Sequence, residues 1–470
     1  MVFSIYSEQM VSNRHQRRLL LFIIIIVIVF TATWYLRSSN TNYMNLYASV
    51  RSSSNLGQNS LVIDSFDHRI GVEKEWFIKT CLQADDSDKL SIENLFGTIK
   101  NLRLAKDSTC KQVYKLFHSI YELKTSTSNV YINNVFAKKV LRWFNGNKHL
   151  LEETKTQHLM FVNNRYTQES TVFNPLRAKR PGAGGGGGPE VKKAVDEMIA
   201  KSSKDCDFCN FRNMTAKDPF GSIESKYAVS VSNTFKIEKF HGLILWKHHN
   251  PMEFNEEQFL DLMDVAQKWF VKAHNADKEY SYPHIYWDVL SKASASQPHP
   301  HLHVNLASGQ YYAKWARLHE AAISYSRNHQ GANYFTHLVK VHSLLGLTVH
   351  FGEATAMAYV TPQASHEVML ISKRPGNDIF RLLFYTMRAY IDDMGLYAMS
   401  AGMVFPKMIP KPENGDLPMI MRVVYRGALT SSRADISSIE LFGTPNVNVD
   451  PYSVVKSIRR TMAKHNAVES

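Results

Sequence analysis

Apolar and polar positions change period several times along the chain. Residues 19–36, LLLFIIIIVIVFTATWYL, form one apolar run without a charge. At 1.5 Å per helical residue such a run spans roughly 27 Å, close to the hydrocarbon thickness of a bilayer. Trp34 and Tyr35 stand at its far end, where aromatic rings favour the interface. Arg14, Arg17 and Arg18 precede it and only Arg37 follows closely, so the positive-inside rule predicts a cytosolic tail over 1–18 and a signal-anchor helix over 19–36. The expected product is a single-pass type II membrane protein with its catalytic part in the lumen of the Golgi or endoplasmic reticulum. A cleaved signal peptide is the competing reading, although its apolar core is normally shorter.

Beyond the run, residues 37–60 are rich in Ser and Asn and read as a flexible stem. Residues 61–160 read as mostly helical, with apolar positions recurring at three and four in Val113, Leu116, Phe117, Ile120 and Tyr121. The texture then changes. Segments 226–246, YPHIYWDVL and HLHVNLA carry the alternation and β-formers of strands, and an amphipathic helix follows Asn255, a plausible N-cap. The style returns in AMAYVTP, EVMLIS, the helix-like DIFRLLFYTMRAYIDDM and DLPMIMRVVYRG. Two similar α+β units are therefore expected, over 161–345 and 346–470. The glycine run at 182–189 lacks the GK[ST] ending of a phosphate loop and reads as a surface loop.

Composition narrows the partners. In 470 residues the net charge is +13, which favours anionic partners, and no RNA-recognition, zinc-finger or basic-zipper pattern is present, so nucleic acid is not expected. Four cysteines are too few for a disulfide scaffold. Cys206 and Cys209 form a CxxC, whereas Cys81 and Cys110 stand apart and could pair in an oxidising compartment.

The sharpest chemical feature is Gln297-Pro298-His299-Pro300-His301-Leu302-His303-Val304-Asn305. Three histidines at period two on a strand share one face. Packed imidazoles repel if protonated and need partners if neutral, so a purely structural use is hard to find. Cys206, Cys209, His249 and His299 make a plausible tetrahedral Cys₂His₂ set suited to Zn²⁺, with His248 the alternative to His249 and a CxxC disulfide the alternative to metal.

The HxHxH segment resembles the histidine-triad superfamily, and its context resembles the galactose-1-phosphate uridylyltransferase family. The motifs run in order from about 163 to 465: the RAKRP of 177–181, Cys206-Asp207-Phe208-Cys209, Ser232-Asn233-Thr234-Phe235, Lys247-His248-His249, and Ser296 to His301. Together with the apolar run, the chain reads as a divergent, membrane-anchored member, and the resemblance implies an α+β fold of two tandem histidine-triad-like units built from antiparallel sheets with helices. A helical region and one transmembrane helix would precede them. It implies a homodimer, a structural zinc, and nucleotidyl transfer, probably uridylyl, between hexose 1-phosphates. His301 is the implied nucleophile, Ser296 a donor to the phosphoryl group, and Arg177, Arg180, Asn233, Phe235, Asp288 and Glu440 the nucleotide- and phosphate-binding residues. The implied partners are a nucleotide sugar and a sugar 1-phosphate. Departures are visible. His303 stands where these transferases carry glutamine, which keeps a nucleotide-sugar or dinucleotide hydrolase or phosphorylase in play. Met421 and Val423 replace a histidine pair of the second unit, Ile439 a tyrosine and Asn446 a glutamine, which keeps an inactive binding protein in play.

Overall fold

The structure, a computed structural model, describes residues 74–83, 90–179, 187–408, 417–434 and 436–469. The larger sheet has nine antiparallel strands. Its strands are β4 (Ala228–Ser232), β5 (Phe240–Trp246), β6 (Tyr280–Val289), β7 (His301–Ser308), β8 (Thr348–Phe351), β9 (Ala354–Ala358), β10 (Val368–Ser372), β11 (Met399–Val404) and β12 (Met419–Tyr425). They lie in the order β4-β5-β7-β6-β11-β12-β10-β9-β8.

That order contains a repeat. Strands β4 and β5, the helix Glu256–Ala276, then β6 and β7 give the order β4-β5-β7-β6, while β9, β10, the helix Asn377–Arg388, β11 and β12 give β9-β10-β12-β11. The halves share one sheet, joined where Asp288 of β6 pairs with Ser400 of β11. The two helices lie against each other and against the strands of their own halves. Their contact is both apolar and polar: Phe259 meets Phe384 at 6.0 Å between ring centroids, and Glu256 accepts from Arg381 Nε (2.8 Å) and Tyr385 Oη (2.9 Å).

Period-two alternation decides the two faces. On β7, Leu302, Val304 and Leu306 enter the main core with Trp246, Phe259 and Trp287, which leaves His301, His303 and Asn305 on the opposite face. The sequence placed β4–β7, β9, β10, β12 and the helix after Asn255 but not β8 or β11. Asn255 caps that helix through a capping box with Gln258.

Residues 90–160 are not uniformly helical. The helices Leu95–Leu104 and Ser108–Ile120 lead into β1 (Tyr121–Asn129), which pairs with β2 (Thr156–Asn164) and through it with β3 (Ser170–Phe173). Cys81 and Cys110 are joined by a disulfide that ties this region together. A buried charge cluster anchors the turn before β3 to the second half: Arg422 bonds Glu169 through Nη1 and Glu367 through Nε, each at 2.5 Å.

The membrane expectation needs correcting. Among the described residues no helix is long and apolar enough to cross a membrane. The tail, anchor and stem expected over 1–60 lie outside the described residues, as does the glycine run over 182–186. Over the described residues the fold is mixed α and β with antiparallel sheets and has no spanning helix. The signal anchor, the type II topology, the lumenal location and the membrane partner are withdrawn with it.

Candidate active site and metal centre

The two prolines of PHPH interrupt hydrogen bonding just before β7, so the strand begins at His301 and the preceding turn is free to carry His299 sideways. His299 is fully buried. Its Nε2–H donates to the Trp246 carbonyl at 2.7 Å, which leaves the Nδ1 lone pair facing Cys206 Sγ (3.6 Å) and Cys209 Sγ (3.5 Å). His249 Nδ1 lies 3.3 Å from Cys209 Sγ, and its Nε2–H donates to Ser202 Oγ at 2.9 Å. The ligand atoms of Cys206, Cys209, His249 and His299 all lie within 4.8 Å of one another. Both cysteines are free thiols, so the CxxC is not a disulfide. His248 instead stacks on Trp246 at 5.2 Å and 25°. Burial, then its neighbour Cys206, pushes the Cys209 thiol up to about 11. Two soft sulfurs and two imidazole nitrogens with their tautomers fixed by outer hydrogen bonds fit a tetrahedral metal.

His301 is 4% exposed and donates Nδ1–H to the His299 carbonyl at 2.8 Å. Its Nε2 therefore holds the free lone pair. Burial pushes its pKa down, against that hydrogen bond and the charge of Asp288. Phe208, from the CxxC turn, crosses the rings of His301 at 5.2 Å and His299 at 5.8 Å. The CxxC turn thus also covers two of the three histidines.

The other expected residues divide into those brought to the triad and those not. Asn233 reaches it through His241: its amide nitrogen lies 3.1 Å from His241 Nε2, which is 3.0 Å from His303 Nδ1. Burial, then the nearby histidines, holds His303 down to about 4. Asp288 accepts from Ser400 Oγ at 2.5 Å, with Arg426 Nη1 at 4.0 Å. Phe235 is 86% exposed at the β4–β5 turn, and its N–H donates to Asn233 Oδ1 at 2.9 Å. Ser296 is exposed in the loop before β7. Arg177 is also exposed, and its charge acts on Glu440, which caps the short helix Ser438–Phe442 together with Ser437. Arg180 lies outside the described residues.

Glu440 and Asn446 line a cavity of about 1000 Å³ where the two halves of the sheet join, with Tyr286, Ser400, Arg422 and Arg426. None of the triad lines it. It adjoins the triad through Tyr286, the cross-strand partner of His303, and through Ser400, which is bonded to Asp288.

Sequence reasoning missed His241, Phe208 and His284. His284 sits on β6 with Nδ1–H donated to the Tyr282 carbonyl (2.9 Å) and Nε2 accepting from Tyr312 N–H (3.2 Å). Phe208 lay inside the CxxC, but nothing marked it as a lid. Asn305, fully buried on the triad face, has no partner for either amide atom among the described residues.

No described protein family and no curated protein matches this chain. Among solved structures it is similar to an ADP-glucose phosphorylase from Arabidopsis thaliana with bound ADP-glucose (13% identity, 63% of this chain and 97% of that one, TM-score 0.48). It is also similar to a galt-like protein from Arabidopsis thaliana (12% identity, 55% and 92%, TM-score 0.44). A uridylyltransferase structure is similar at 14% identity, over 56% and 92%, with TM-score 0.44. Likenesses this weak leave fold and activity to be argued from the chain's own residues.

Proposed function

We propose that this chain is an enzyme that transfers a nucleoside monophosphate through a covalent nucleotidyl-histidine on His301. The observation that carries the reading is the bond from His301 Nδ1–H to the His299 carbonyl, which aims the tautomer so that Nε2 is the nucleophile. Nε2 attacks the α-phosphorus of a nucleoside diphosphate sugar, the P–O bond to the sugar phosphate breaks, and a sugar 1-phosphate leaves. A phosphate oxygen of the acceptor then attacks the same phosphorus and the P–N bond breaks, restoring His301. A neutral imidazole suits this role, and burial keeps His301 neutral.

Asp288 orients the site through Ser400, while Asn233 and Phe235 on the β4–β5 turn take the nucleoside. Ser296, Arg177 and Arg180 supply donors and positive charge to the pyrophosphate. Glu440, lining the neighbouring cavity, accepts from a hydroxyl of the hexose. Cys206, Cys209, His249 and His299 would hold a Zn²⁺ whose part is structural, since all four positions are filled by protein. Cys206→Ser is expected to lower the metal content from about one ion per chain to near zero by elemental analysis. A homodimer with a shared site completes the reading.

A second reading, hydrolysis or phosphorolysis of nucleotide sugars or dinucleotides, is favoured by one residue. His303 is a histidine, and an imidazole can pass a proton to a leaving group or take one from water. Isotope exchange separates the two. Transfer moves label between a sugar 1-phosphate and a nucleotide sugar without net hydrolysis. Hydrolysis releases nucleoside monophosphate in water alone, and phosphorolysis releases nucleoside diphosphate only with added phosphate.

A further inference from the structure

If His301 carries the nucleotidyl group, as proposed above, the part played by His303 turns on the position of one hydrogen. His303 Nδ1 lies 3.0 Å from His241 Nε2, with the two rings 5.3 Å apart. His241 is 2% exposed. Two donors face its ring: the Ile237 N–H, 3.3 Å from Nδ1, and the Asn233 amide, 3.1 Å from Nε2. A neutral imidazole has one proton to place. The Ile237 hydrogen is fixed by its peptide plane and points at Nδ1, whereas the Asn233 amide, its Oδ1 held by the Phe235 N–H, can tilt its N–H off the ring. Nδ1 therefore accepts from Ile237, and the ring proton falls on Nε2.

Asn233 Oδ1 is held by the Phe235 N–H at 2.9 Å and is not offered to Nε2, so that proton is donated to His303 Nδ1, which is then the acceptor. Neutral His303 accordingly carries its own proton on Nε2, the nitrogen without a hydrogen bond among the described residues. The turn that presents His241 is braced. Lys236 Nζ donates to Ser232 Oγ (2.8 Å) and to the His241 carbonyl (3.0 Å). Buried Asp218 accepts from Ser232 Oγ (2.7 Å) and from Trp269 Nε1 (2.8 Å). Burial holds both imidazoles down to about 4, so both are neutral near pH 7.

We propose that His241 is a positioning residue that locks His303 as a neutral Nε2–H donor to a phosphoryl oxygen, the part a glutamine amide would play, and not as a proton shuttle. His303 then cannot take a proton from water, and the adduct on His301 is passed to an anionic acceptor faster than it is hydrolysed.

The test compares the full-length wild type with His303→Gln, His303→Ala, His241→Leu and His241→Gln, using whichever nucleotide sugar labels His301. A glutamine at 303 is expected to keep kcat within about tenfold of wild type, while alanine there loses about a hundredfold. His241→Leu is expected to lower kcat by about tenfold or more with KM little changed, and His241→Gln, whose amide can still donate, to regain most of it. A His303→Gln enzyme as slow as His303→Ala, or a His241→Leu enzyme equal to wild type, overturns the inference. Ring ¹⁵N shifts of histidine-labelled protein, assigned by the loss of one ring signal pair in His303→Gln, read the tautomer without turnover. Protonated Nε2 and acceptor Nδ1 on His303 support the inference, and the reverse overturns it. Failure of wild type to form any adduct sinks the proposed function alone, since the nitrogen shifts still decide the role of His241.

Discussion

At His301 one backbone hydrogen bond selects which ring nitrogen can react, and at His299 another turns the lone pair toward the sulfurs. Neither bond needs a side-chain partner, so both follow from where the strand begins. Neighbouring positions are just as constrained. A Cβ on Gly242 would come 2.8 Å from the Trp269 ring. Gly242→Ala is expected to destabilise the protein by about 1–3 kcal/mol, because a packed core has no room to give. Because Gly242 adjoins His241, activity is expected to fall further than stability alone explains. Denaturant melts and turnover measured together check this, and an unchanged midpoint would contradict it. The three histidines on one face of β7 and the pairing of Cys206 with Cys209 were legible in the sequence because HxHxH and CxxC are local patterns. His241 was not. Its partner His303 is 62 positions away, and only the pairing of β5 with β7 shows that the two rings meet.

Helices announced by their ends and strands announced by alternation were also legible. Asn255 caps Glu256–Ala276 as its sequence suggests, and that helix backs β4, β5, β6 and β7. Asn255→Ala removes the oxygen that accepts from Gln258 N–H, and is expected to cost about 1 kcal/mol in a thermal or denaturant melt, with turnover unchanged. A loss of activity without a loss of stability would show that the cap does something else. Elements with weak patterns were missed. Strand β1, YELKTSTSN, is exposed along most of its length and has no apolar face to alternate, so it was absorbed into a region read as helical. Strand β11, MSAGMV, is made largely of small residues, and Gly402 there allows Trp315 to approach to 3.3 Å of where a Cβ would sit. It is nevertheless the strand that joins the two halves, through a register no local signal encodes.

At the scale of the molecule, two similar halves form one sheet, with the histidines on the first half and the cavity beside them where the halves join. Sequence similarity of pattern suggested the halves, but only the strand order shows that they are continuous. The membrane helix expected from residues 19–36 has no counterpart among the described residues. Buried histidines give the whole fold a pH limit. Burial pushes His284, His342 and His366 from an ordinary 6.5 down to about 4. The unfolded chain therefore binds more protons than the folded one between these values. The stability contributed is fully present above pH 6.5 and is lost as pH falls toward 4. The melting temperature is expected to drop steadily across that window, and a flat profile would contradict the buried neutral rings. The most direct test of the whole account is intact-mass analysis of the protein after mixing with a panel of nucleotide sugars, followed by mapping of the acid-labile adduct. The account predicts one nucleoside monophosphate on His301, absent from His301→Ala. No adduct and no turnover with any donor, in folded and metal-loaded protein, would contradict it.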